Sequence, residues 1–278
     1  MASENNLRKV STVLSPAELI QANEDLLANG VERIYQSNQG LFERKIIDQA
    51  SINFEGSFFG AVRLAMSIQR LAHDTDQALR KLREYTNKLY PGWLAIRQTS
   101  ETLVSQENLD VYKVGLSEFH GLMVCAVLLK DWELALKEIQ YARSSPAVAA
   151  LRLDGQLFYH FSQALMELVS PQCAVEELPF LNMKKKLPDS FIGYPELFRA
   201  ILEGNQNHFD QELQNVIERF AKRAKSRVDA PMGFGYGKHD HAKCFDYRAT
   251  FAAICAVRAG LQLNVDSEYV PKAFVFGG

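Results

Sequence analysis

Paired cysteines are missing from this chain. Cys125, Cys173, Cys244 and Cys255 are scattered, and no two have the CxxC spacing of a zinc or redox site. Cys125 and Cys255 fall in apolar helical stretches, where cysteine acts as a small hydrophobe, and all four are expected as reduced thiols. Long apolar runs are missing as well. The longest, "GLMVCAVLL" from Gly121 to Leu129, is too short to span a bilayer. Charge of one sign is also lacking: a formal net charge of -2 sets up no global field for nucleic acid or anionic lipid. The opening "MASENNLRKVSTVLSPAEL" is polar and mixed, unlike a secretory leader. These absences predict a cytoplasmic protein that needs no membrane and binds no nucleic acid directly.

Catalytic signatures are equally scarce. The sequence has no HExxH and no GxSxG, and no cysteine stands in an evident pair with a histidine. Glu24-Asp25 and Glu176-Glu177 are adjacent, so on a helix they point about 100° apart and read as solvated charges. His73 and His208 fall at turns or helix starts, and His120 and His160 lie within helical stretches. The basic runs at Lys184–Lys186 and Lys222–Arg227 sit where helices are expected to end, in favourable contact with the helix dipole. The chain is therefore expected to be no enzyme and to carry no cofactor.

What is present is helical periodicity. Ser15-Pro16 reads as an N-cap and first helical residue for "AELIQANEDLLANGVERIYQ", which Gly30 is expected to interrupt. A second helix runs from about Leu41 to His73-Asp74, with Gly56 and Gly60 spaced for close packing against a neighbour. Thr75 opens a third, which Pro91-Gly92 is expected to close. Helical pairs follow, turning at Lys130-Asp131 and at Gly204-Asn205, and a further helix is expected from about Ala174. Near the end, Asp246 or an upstream neighbour reads as the cap of the last long helix, "DYRATFAAICAVRAG". Strand signals are thin. "LQLNV" reads as extended, but no set of alternating runs builds a sheet. No fixed repeat period appears. The fold class read from this pattern is all-α: an irregular array of stacked antiparallel helix pairs with little or no sheet. One domain over 1–278 is expected, with N-terminal helices to residue 100 and helical hairpins after it.

The stretch with most chemistry is "GFGYGKHDHAKC", Gly233 to Cys244. A metal reading recruits His239, Asp240, His241 and Cys244, but their spacing matches no recognised ligand template. A phosphate cradle lacks both the Lys-Ser/Thr and the preceding strand that it needs. The bland reading is a surface loop. The functional one is a partner contact through Phe234, Tyr236, His239, Asp240 and His241, offering aromatic anchors on an adaptable backbone.

"YPELFRAILEGNQNHFDQELQNVIERF" (194–220), followed by "DYRATFAAICAVRAGLQLNVDSEYVPKAFV" (246–275), resembles the immunity protein 49 family of bacterial polymorphic-toxin systems. The shared shape is a helix pair with an ELF-like start, a small-residue helix ending in Ala-Gly, and a "SDYLP"-like tail, here Ser267 to Pro271. Leu261, Val265 and Tyr269 are expected in the core. The resemblance implies an all-α cytoplasmic protein that binds and neutralises the toxin domain of a secreted effector by steric occlusion. It requires no active site, and it admits a homodimer. A helical-repeat adaptor for a peptide or protein is the alternative, and a metal hydrolase built on His239 and His241 a third reading.

Overall fold

The computed structural model describes residues 15–43, 47–104, 116–144, 157–183, 187–226 and 246–277. Its regular elements are helical. In chain order they are α1 (Pro16–Glu43), α2 (Ile47–Ala72), α3 (Thr75–Val104), α4 (Leu116–Leu128), α5 (Trp132–Ser144), α6 (Leu157–Val169), α7 (Tyr194–Leu202), α8 (Gln206–Ser226), α9 (Tyr247–Arg258) and α10 (Lys272–Phe276). Among the described residues the only β pairing is one isolated bridge, Ser267 with Val270. The all-α reading therefore holds.

α1 begins as its sequence dictates. The Ser15 hydroxyl accepts from the Glu18 amide and the Glu18 carboxylate accepts from the Ser15 amide, a reciprocal capping box. Gly30 does not interrupt it: α1 runs on to Glu43, taking in Leu41–Glu43 that the periodicity assigned to the next helix. One glycine costs about 1 kcal/mol of propensity, which a packed helix face outweighs. That face is narrow, with Leu27 and Val31 buried beneath a Leu26 that is 60% exposed. Gly60 of α2 lets it approach, for a Cβ added there would lie 2.9 Å from Leu27 Cδ1.

α3 overturns a second expectation. It passes through Pro91 without ending. Proline has no N–H to give the preceding turn. Beside it the Tyr35 hydroxyl of α1 donates to the Lys88 carbonyl and accepts from the Gly92 amide, so a side chain is inserted into the next rung of the ladder.

α4 is the hub. Gly121 through Leu129 are all buried, and α4 packs against α2, α3, α5, α6 and α9. A helix apolar on every side belongs in the middle of a protein, which is the fate of the longest apolar run. It ends in a Schellman turn: the Asp131 amide reaches the Ala126 carbonyl, and the Lys130 amide reaches that of Val127. Lys130 takes the left-handed position at φ 54, where glycine is usual.

Between α6 and α7 no α-helix starts near Ala174. Two 3₁₀ turns, Val175–Glu177 and Pro179–Asn182, take its place. Pro179 holds Leu178 out of the helical region, at ψ 107. Phe180 and Phe191 then meet Phe161 of α6 edge-on, at 5.2 and 5.0 Å. Finally, "LQLNV" is an extended segment without strand partners among the described residues. Leu261 and Leu263 turn inward, alternating with exposed Gln262 and Asn264, and Val265 is half-buried. Gln206 of α8 pairs with both backbone groups of Gln262, and Asn264 donates to Asp210.

Candidate interaction surface

Phe234, Tyr236, His239, Asp240 and His241, with Cys244, belong to 227–245 and lie outside the described residues. Described chain flanks this segment on both sides. One is the C-terminal part of α8 and the other the N-terminus of α9. Asp246 caps α9 as expected, its Oδ1 accepting from the amides of Arg248 and Ala249.

Tyr269 joins these two stems. Its ring lies 5.4 Å from that of Phe220 in α8, and its carbonyl accepts from the Asp246 amide at 3.0 Å. Half-buried Tyr269 thus supports the fold, as expected of it, and it ties α8 to the start of α9. A second tie runs across the stems. Arg223 of α8 donates to the carbonyl of Asp189 at 2.8 Å, and Arg248 of α9 donates to that of Ser190 at 3.0 Å. Arg223 was visible in the sequence only as part of a basic run. Its guanidinium holds the frame of the surface.

The buried carboxylates among the described residues are Glu138, Glu167 and Asp246, and each accepts from three donors. Glu138 of α5 takes Trp93 Nε1 at 3.1 Å, Arg97 Nη1 and the Tyr90 hydroxyl, all from α3. Arg97 in turn stacks on Tyr141 at 3.5 Å. Glu167 of α6 takes Arg143 Nη2 at 2.7 Å and the amides of Gln172 and Cys173. Asp246 Oδ2 takes the Tyr194 hydroxyl at 2.6 Å. Burial first, and then the Asp246 charge, push the Tyr194 phenol well above its ordinary value. These interior acids bind helices to one another.

Among the described residues, the cysteine thiols are held in the protonated form. Burial raises the Cys125 thiol to about 12 and raises that of Cys255 further. Cys173 is exposed, yet its thiol is also raised, by desolvation and then by the Glu167 charge. His73 is an exposed turn residue at φ 53, and His208 sits 3.7 Å from Glu212 on the same helix. Among the described residues no three His, Cys, Asp or Glu side chains gather in a way that suits a metal ion. Lys184–Lys186 lie outside the described residues, while Lys222 is exposed near the C-terminus of α8. Among the described residues no helix is long and apolar enough to cross a membrane.

Sequence reasoning missed Arg248. Its guanidinium lies 4.2 Å from the Phe191 ring centre and 5.4 Å from those of Phe161 and Tyr247. Its Nε donates to the Tyr247 hydroxyl at 3.1 Å. The available signal was an arginine in the first turn of a helix, the end that a cation disfavours. No family model, curated protein or solved structure matches this chain.

Proposed function

We propose that the protein is an immunity protein: it acts in the cytoplasm, binds the toxin domain of a secreted antibacterial effector and neutralises it by covering it. The observation that best supports this reading is the fate of the interior acids. Glu138, Glu167 and Asp246 are each saturated by donors from their own fold, so the polar interior serves cohesion and function is left to the surface. The resemblance adds weight because its two stretches form one body. α7 and α8 pack as a hairpin, and α9 packs on both of them and on α10. An inhibitor of this kind needs a rigid frame, a few anchoring residues and steering charges. The stems tied through Tyr269 provide such a frame for 227–245.

The test is co-expression with the effector encoded beside this gene, scored for survival and for co-purification. Rescue together with a stable complex is the expected result. Rescue without a complex, or turnover by the isolated chain that one polar substitution abolishes, overturns the reading. A stable complex with a protein that is harmless by itself favours the adaptor. An effector that acts only on the cell wall contradicts cytoplasmic neutralisation.

A further inference from the structure

We propose that the guanidinium of Arg248 is a receptor for a carboxylate side chain of a protein partner, in the first turn of α9. Arg70, Arg97, Arg143 and Arg223 each meet a carboxylate, whereas Arg199 and Arg258 donate to backbone carbonyls and meet none among the described residues. Arg248 meets none among the described residues. The acid two residues before it, Asp246, is committed to the α9 amides and to Tyr194. Yet Arg248 is built as carefully as any ion-paired arginine. Phe191 and Tyr247 flank it, Nε is held by the Tyr247 hydroxyl and Nη1 by the Ser190 carbonyl. Nη2 has no partner among the described residues, and the residue is only half-buried. Helix stability does not explain the placement, because the first turn of a helix favours anions and disfavours cations.

A half-buried guanidinium fixed at Nε and Nη1, with Nη2 left to donate, suits an acceptor of single charge. The slot favours carboxylate over phosphate. One cation is available, Arg223 being occupied by Asp189, and the carboxylates of Asp246 and Asp189 nearby repel a dianion. The apolar walls, with Phe59 packed on Tyr247 at 5.3 Å, suit the stem of a glutamate or aspartate.

The experiment follows the Arg248 Nε–H resonance by nitrogen-15 NMR, since its hydrogen bond to Tyr247 slows exchange with water. Wild-type protein is titrated with glutarate, with inorganic phosphate and with chloride at matched ionic strength. Saturable movement at millimolar glutarate, a smaller response to phosphate and none to chloride is expected. An unmoved resonance in glutarate, or a stronger response to phosphate, overturns the proposal. In Arg248→Gln, glutarate is expected to leave the surrounding amide resonances unmoved. If that variant fails to fold, the wild-type titration alone decides. A second arm rests on the toxin-binding reading: Arg248→Lys is expected to weaken the toxin complex at least about tenfold. Undiminished affinity there counts against the receptor, whereas a wild-type protein that binds no toxin counts against the function and leaves the glutarate arm intact.

Discussion

The hydroxyl of Tyr194 donates to the buried carboxylate of Asp246 at 2.6 Å, tying the first residue of α7 to the cap of α9. One acid therefore caps a helix and joins two helices. Removing the phenol oxygen in Tyr194→Phe leaves that carboxylate one donor short. A loss of about 1–3 kcal/mol in urea unfolding is expected. Asp246→Ala should cost at least as much, since the cap goes with it. The pair also sets an alkaline limit. The phenol's folded value is raised, so its contribution is complete below the unfolded value of about 10 and fades as pH climbs beyond it. Tyr194→Phe should flatten that decline, and a wild-type slope retained in the variant would remove Tyr194 as its source.

Glu138 is the inner counterion for Arg97 and the acceptor for Trp93, with no side-chain exposure of its own. Substitution of one partner leaves the other charged, buried and unmatched. Glu138→Ala should therefore lose about 3–5 kcal/mol, more than any exposed pair such as Lys88 with Glu84, which is worth under about 1 kcal/mol. A double-mutant cycle with Arg97→Met should show strong coupling. Additive losses would mean that Glu138 acts through Trp93 and Tyr90 and not through Arg97. High salt should leave the loss largely unchanged, because a desolvated pair is weakly screened.

The helices and turns were legible because they rest on local chemistry. Ser15 and Asp246 cap what they appear to cap, and Gly204 turns at φ 65. Where the reading failed, a distant residue had decided the outcome. Pro91 looks like a helix end until Tyr35, more than fifty positions earlier, bonds to the adjacent rung. Gly30 looks like a break until its helix is seen packed against Gly60. The tertiary signal is carried by which side chains meet, and no local period encodes that. The same holds for the surface. The aromatic and histidine content of 233–244 drew attention by composition, whereas Arg248 looks ordinary until Phe191 and Ser190 are folded against it.

Lys130 allows a prediction of opposite sign, a substitution that stabilises. It occupies the left-handed cap position after α4, a strain of about 1 kcal/mol for a residue with a Cβ. Its ammonium nitrogen is enclosed and has no hydrogen-bond partner among the described residues. Burial holds the amine below its ordinary basicity. Lys130→Gly relieves both burdens and gives back part of the gain through a more flexible unfolded chain. The net expectation is a stabilisation of about 1 kcal/mol, seen as a higher urea midpoint at unchanged slope. Lys130→Ala separates the causes, since it removes the amine and keeps the strain. The pH dependence supplies an independent check. With the folded value depressed, the unfolded chain holds the extra proton up to about pH 10.4, so stability rises with pH through that window in the wild type. The difference between wild type and Lys130→Gly should shrink over the same range. A glycine variant no more stable than the wild type at neutral pH would show that the amine is matched in solution and the turn unstrained.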